Sequence, residues 1–274
     1  MTTPLVSVIV PCYNQAIFLP EALDSVLAQK FDDWECIIVN DGATDDTEAV
    51  GQQYAEKDTR FKYVKQTNVG LAAARNFGIA QSAGEFVLPL DADDSIHPDY
   101  LQKAVDAFKK DKSLKLVYCN ARKFGAQNSK WHLPDFDYFT LLTGNIIFCS
   151  SIYKKGDFIA AGKYDETMRM GLEDWDLWIR LLDEKSKVKK LAGEYFFYRI
   201  KDTSMNTILS STADDIKYYI YLKNIDIYRK FFKSPITMIE ENTKLRSMYK
   251  NSVDYKIGNF LLNPLRKLAN SRKK

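Results

Sequence analysis

Two carboxylates two positions apart, Asp91 and Asp93, stand at the end of the short apolar run Phe86-Val87-Leu88-Pro89-Leu90. In an extended chain, residues two apart leave from the same side, so both side chains reach one rim. Oxygen ligands of this kind suit Mn2+ or Mg2+, which keep waters and bridge phosphate oxygens. A second polar cluster, Asn40, Asp41 and Gly42, follows the apolar run 36–39. A third, Pro11, Cys12, Tyr13 and Asn14, follows the run 6–10. Aromatic, amide and carboxylate groups at neighbouring strand ends suit a nucleotide whose diphosphate is neutralised by a metal. The glycine-rich cradles that hold phosphates on backbone N–H groups are missing: no G-x-G-x-x-G opens a helix after the first run, and no G-x-x-x-x-G-K-[ST] occurs. The charge must then be met by a cation. Plainer uses compete with these readings. Asp41-Gly42 makes a turn readily, Tyr13 fits a surface aromatic at a helix entry, and His97 before Pro98 fits a loop. Asp94 and Asp46 read as caps or solvated acids.

The elements that must position these groups follow from periodicity. Strands are predicted over 6–10, 36–39, 61–64, 86–90 and 116–119, and helices over 19–27, 44–57, 71–81 and 99–110. Leu19, Ala22, Leu23, Val26 and Leu27 fall on one helical stripe, as do Leu101, Ala104, Val105 and Phe108. Thr44 is the expected cap of the second helix, with Asp45 and Asp46 in its first turn. Strands this continuously apolar are buried on both faces. The expected fold class is therefore α/β: a Rossmann-like, mostly parallel sheet with helices on both faces. In such sheets ligands bind outside the carboxyl ends of the strands, where strand order reverses. Beyond residue 121 the pattern loosens. An amphipathic helix is expected over 171–182, an aromatic strand over 195–199, and two helices over 214–232 and 236–258.

Composition bounds the rest. The chain has 274 residues, 46% hydrophobic and 27% charged, with a net charge of +3. That excludes disordered and collagen-like classes. Four cysteines (12, 36, 119, 149) without a C-x-x-C, and two histidines in all, offer neither a disulfide framework nor a zinc site. The start, MTTPLVSVIVPCYN, lacks the basic segment of a signal peptide, and no apolar run is long enough to span a membrane. A cytoplasmic body is expected.

Four segments carry a resemblance: VSVIVPCYNQ, IIVNDGATDDT, NVGLAAARNFGIAQSAGEFVLPLDADD and GLEDWDLWIRL. In this order, over about residues 5–205, they resemble the successive motifs of glycosyltransferase family 2, inverting enzymes of the GT-A fold and, here, of the bacterial surface-polysaccharide type. The resemblance implies transfer of a sugar from a nucleoside-diphosphate sugar, UDP-linked, to a glycan or lipid-linked acceptor, with Mn2+ or Mg2+ as cofactor. It implies that Pro11 and Tyr13 lie beside the base, that Asp41 contacts base or ribose, and that Arg75 lies near the diphosphate rim. A structural ion pair with a strand-end acid is the other reading of Arg75. Asp91 is implied on the ribose side, Asp93 as metal ligand and Asp174 as catalytic base. Glu173 and Trp175 are implied on the sugar or acceptor side, although Trp175 and Trp178 also fit a helical core. The segment from Tyr198 to Met205 departs from the family pattern, which often has a metal-ligating His where this chain has Lys201. Either Lys201 contacts the diphosphate as a point charge, or Asp202 or water completes the metal's shell. The segment is a candidate lid. A sugar-phosphate nucleotidylyltransferase and a non-catalytic sugar-nucleotide-binding protein are the alternatives. The first lacks its Gly-rich basic loop here, and the intact Asp93 and Asp174 argue against the second.

The expected domains are a glycosyltransferase domain over 1–210, divided into a nucleotide-binding half (1–120) and an acceptor-side half (121–210), and a helical C-terminal extension over 211–274. Residues 214–274 carry a net +8 and residues 1–213 a net −5. The tail 256–274 has six Lys/Arg, no acid and an apolar side formed by Phe260, Leu261, Leu262, Leu265 and Leu268. Such a segment suits an anionic membrane surface, which would place the protein at the inner face of the membrane. Docking on the body or on a second subunit of a homo-oligomer is the competing use. The acidic nucleotide site argues against nucleic acid as a partner.

Overall fold

The computed structural model describes residues 3–169, 171–201, 205–258 and 262. The segment 202–204, with Asp202, and most of the tail after 258 lie outside the described residues. The chain divides into two compact units, Met1–Asn224 and Ile225–Lys274.

In the first unit, strands and helices alternate as β1 (Val6–Cys12), α1 (Leu19–Leu27), β2 (Trp34–Asp41), α2 (Thr47–Lys57), β3 (Phe61–Gln66), α3 (Leu71–Gln81) and β4 (Phe86–Pro89). Every residue of β1, β2 and β4 is buried. Those three strands and β3 pair in parallel in the order β3-β2-β1-β4. The reversal of strand order falls at β1, between β2 and β4. Helix α3 explains its own alanines. A Cβ on Gly78 would come within 2.5 Å of Ile9 Cγ2 and 2.8 Å of Val39 Cγ2. The helix therefore lies directly on β1 and β2, and only small side chains fit its inner face.

The second half of the sheet is mixed. It contains β5 (Ser95–Ile96), α4 (Tyr100–Lys110), β6 (Leu114–Gly125), β7 (Ser129–Trp131), α5 (Tyr138–Thr143), β8 (Ile152–Lys154), α6 (Lys155–Ala160), α7 (Glu173–Leu181), β9 (Lys187–Ile200) and α8 (Met205–Lys223). The full order is β3-β2-β1-β4-β8-β6-β9-β5, with β7 attached to β6. Strand β8 runs antiparallel between β4 and β6, so the fifth predicted strand, part of β6, does not touch β4. β6 and β9 are parallel, with register shifts around Asn120; irregularities of this kind re-aim side chains at a rim. The second unit contains α9 (Ile225–Phe231) and α10 (Pro235–Asn251). The helix expected over 214–232 is thus two helices, parted at Asn224. There the Asn224 amide group donates to Asp176 Oδ1 and to the Ile220 carbonyl.

Helix α2 starts at Thr47, three residues later than expected. The Thr44 N–H is taken by Asn14 Oδ1 at 2.8 Å, and it is Asp45 Oδ1 that accepts the Thr47 N–H at 3.1 Å. Asp45 and Asp46 therefore precede the helix, and Asp46, next to its first residue, makes no side-chain cap.

Candidate active site

The carboxyl ends of β1, β2 and β4, the start of α7 and the end of β9 surround one cleft of about 510 Å³. Its lining includes Pro11, Tyr13, Asp41, Arg75, Asp91, Asp93, Glu173, Asp174 and Lys201. Nine of the ten residues singled out from the sequence thus meet in one place. Trp175 does not line it. Its ring is buried and its indole N–H donates to the Leu141 carbonyl at 2.7 Å, because residue 175 faces α5 rather than the cleft. Trp178 is likewise core, donating to the Ile147 carbonyl at 3.0 Å.

At the β2 end, Asp41 does more than form a turn. Oδ1 accepts the Gln66 side chain at 2.7 Å and the Val69 N–H at 3.1 Å, and Oδ2 accepts the Gly70 N–H at 3.0 Å. The carboxylate ties down the loop that leads into α3. Gly42 meets the same loop: a Cβ there would lie 2.6 Å from the Asn68 backbone nitrogen, and its φ is +72°. Tyr13, at the β1 end, keeps its ring exposed beside this loop.

At the β4 end the three acids have three different fates. Asp91 Oδ1 takes the Arg75 guanidinium at 2.6 Å, and Oδ2 accepts the Cys149 thiol at 3.6 Å. Asp93 Oδ2 pairs with Lys201 Nζ at 2.5 Å. Asp94 is neither a cap nor a solvated acid. It is buried, accepts the Arg199 N–H on Oδ1 at 2.8 Å, and among the described residues its Oδ2 has no hydrogen-bond partner. Burial, with the charges of Asp93 and Asp91 added, pushes its carboxyl well above the usual range.

Helix α7 begins with Glu173 and Asp174, after Gly171 and Leu172, both at positive φ. That reversal aims the first turn of the helix at the cleft. Asp174 is 8% exposed. Its Oδ2 accepts the Asn145 amide at 3.0 Å and its Oδ1 the Trp175 N–H at 2.8 Å. Burial first, then the charge of Glu173, pushes the Asp174 carboxyl up to about 7, where a carboxylate can exchange a proton near neutrality. Glu173 itself is ion-paired to Arg75. Arg75, 1% exposed, therefore joins Asp91, just past the end of β4, to Glu173 on α7, which lies 98 residues beyond the arginine in sequence. It is locked between two acids rather than free at the rim.

The periodic pattern gave no guide to several residues of the lining. Asn145, which holds Asp174, and Cys149 lie in the irregular stretch between α5 and β8. Trp131, on the short strand β7, packs 5.5 Å from Tyr198 and 6.0 Å from Phe148, ring to ring. Arg169 and Arg199 also reach the cleft; their positions carry no spacing signal.

The Mn2+ or Mg2+ ion implied at Asp93 finds a poor fit. Asp93 is already paired with an ammonium, and among the described residues no three His, Cys, Asp or Glu side chains gather where they could hold a metal. Among the described residues the rim gathers no metal clamp from protein groups.

The sequence model of glycosyl transferase family 2 matches residues 7–172, and the chain belongs to that family. Asp174 lies two residues past the match. An uncharacterised glycosyltransferase of Rickettsia typhi is 32% identical over 192 residues, 66% of this chain and 59% of its own length. The chain thus spans about three fifths of that relative. Among solved structures, S. aureus TarS in complex with UDP-GlcNAc superposes with a TM-score of 0.65 at 20% identity, over 84% of this chain and 74% of that one. The mannosyltransferase PcManGT of Pyrobaculum calidifontis, in complex with GDP-Man and Mn2+, superposes at 0.59 and 16% identity, over 95% and 84%. These likenesses establish a GT-A-like fold with added C-terminal helices.

Proposed function

We propose that this chain transfers a sugar from a nucleoside-diphosphate sugar, UDP-linked, to a hydroxyl of a glycan or lipid-linked saccharide, with inversion at the anomeric carbon, in the assembly of surface polysaccharide. The observation that carries the reading is the shared cleft: strand-end acids at Asp41, Asp91 and Asp93 open onto the same space as the buried Asp174. The TarS complex with UDP-GlcNAc supports a UDP-sugar donor.

In this reading Pro11 and Tyr13 flank the base, Asp41 meets base or ribose, and Asp91 meets the ribose. The acceptor hydroxyl attacks the anomeric carbon on the face opposite the diphosphate. The bond from that carbon to the phosphate oxygen breaks, and the diphosphate leaves with the electron pair. Asp174 takes the hydroxyl proton; Asn145 and the Trp175 N–H fix the direction of its oxygens. Arg75 is a strut: it sets the spacing between donor-side and base-side acids. Glu173 is its counter-ion and also raises the basicity of Asp174. No step is assigned to Mn2+ or Mg2+, because Asp93 is already paired. No described helix is long and apolar enough to cross a membrane. The proposed lipid-linked acceptor would be met at the inner membrane face through the basic tail 256–274.

A thermal-shift panel of nucleotide sugars tests this. One donor at ~100 times its Kd should stabilise the fold by about 2.7 kcal/mol, and Tyr13→Ala should shrink the shift. A flat response to every nucleotide sugar would remove the reading.

A further inference from the structure

The acidic rim has a cation of its own. Lys201 Nζ lies 2.5 Å from Asp93 Oδ2, with the lysine side chain 23% exposed and the carboxylate 15%. The ammonium also lies over the Phe18 ring, 5.4 Å from its centre. Two residues back, Arg199 fastens the end of β9 to the same rim. Its Nε donates to the Asp93 carbonyl at 2.8 Å and its N–H to Asp94 Oδ1 at 2.8 Å. Its guanidinium lies 4.8 Å from the centre of Phe18 and 4.3 Å from that of Phe124, and pairs with Glu21. Arg199 fixes the strand end, and Lys201 extends from it into the cleft that holds Asp91 and Asp174.

Asp91, Asp93 and Glu173 at this rim each have a cation beside them. Arg75 serves Asp91 and Glu173, and Lys201 serves Asp93. A dication approaching Asp93 would meet an ammonium first. A diphosphate meets the opposite situation, because an ammonium carries three donors. Lys201 can keep one on Asp93 and turn the others to phosphate oxygens, so nothing has to be broken for the anion to bind.

We propose that Lys201, held in place by Asp93, is the counter-charge for the donor's diphosphate in this chain, and that nucleoside diphosphates bind here without a divalent cation. The proposal rests on the cleft being a nucleotide-sugar site. It assigns the lysine a binding role and makes Asp93 its positioning partner.

Calorimetric titration of the full chain with UDP, GDP, ADP and dTDP, each in EDTA and in Mn2+, decides it. The wild type is expected to bind one of them with Kd values within about threefold in the two conditions. Lys201→Met should weaken that binding at least tenfold in EDTA, and Lys201→Arg should keep most of it. Lys201→His should bind tightly only with Mn2+, since a neutral imidazole is a metal ligand and brings no charge of its own. Melting curves of the three variants check that each is folded, and the wild-type comparison needs no variant. Wild-type binding that requires Mn2+ would overturn the proposal and leave the nucleotide site standing. Failure of all four diphosphates in both conditions would overturn the nucleotide site, and this proposal with it.

Discussion

Asp174 is a carboxyl that the fold prefers uncharged, and that preference has two measurable signs. Buried beside Glu173, it is raised to about 7. A base must be ionised to act, so kcat/KM for transfer should climb with unit slope as pH rises toward about 7 and level off above it. A profile flat from pH 5 to 8 would contradict the assignment. Stability runs the other way. The folded-state pKa lies above the unfolded value of about 3.9, so the fold loses stability as pH rises from about 4 through 7. Asp174→Asn should therefore melt above the wild type at pH 8, with the gap closing toward pH 4. Arg75→Met should lower stability by about 3–5 kcal/mol in urea titration, because it leaves Glu173 buried with an unpaired charge. The individual acids were legible in the sequence, since strand-end position and motif spacing are local properties. The partnership of Arg75 with Glu173 was not, because 98 residues separate them and no period spans that distance. Trp175 lies in the core that its helical spacing suggested, not on the acceptor side that the resemblance implied.

Among the elements, the βα repeat up to β4 could be read because each strand is long enough to show its apolar run and each helix its stripe. α3 lies so close to β1 and β2 that Gly78→Ala should cost about 1–3 kcal/mol, seen as a lowered Tm; a neutral result would mean that Ile9 and Val39 can move aside. The strands β5, β7 and β8 have two or three residues each, too few to show a period of two. The insertion of β8 between β4 and β6 was invisible for that reason. So was the platform of Trp131, Phe148 and Tyr198, which depends on β7 pairing with β6. The start of α2 was legible only to within three residues, because Asn14 at another strand end takes the N–H of the expected cap, Thr44, and Asp45 accepts the Thr47 N–H instead.

For the molecule as a whole, every residue assigned to the cleft lies in the unit Met1–Asn224. A chain ending at Asn224 should bind the preferred nucleoside diphosphate as the full chain does in calorimetry; lost binding would assign the second unit a part in the site. The charge asymmetry, legible from composition alone, gives the tail its own test. Removing 256–274 should reduce co-sedimentation with anionic liposomes and leave it unchanged with neutral ones, and equal sedimentation of both chains would end the membrane reading. The central claim remains that one cleft holds a nucleotide-sugar donor on strand-end acids while α7 presents the base. Its most direct measurement is steady-state turnover of the preferred nucleotide sugar by wild type and Asp174→Asn, with the Kd of the matching nucleoside diphosphate measured alongside. The account predicts a fall in kcat of about 10²–10⁴-fold with that Kd unchanged; turnover by the variant at the wild-type rate would contradict it.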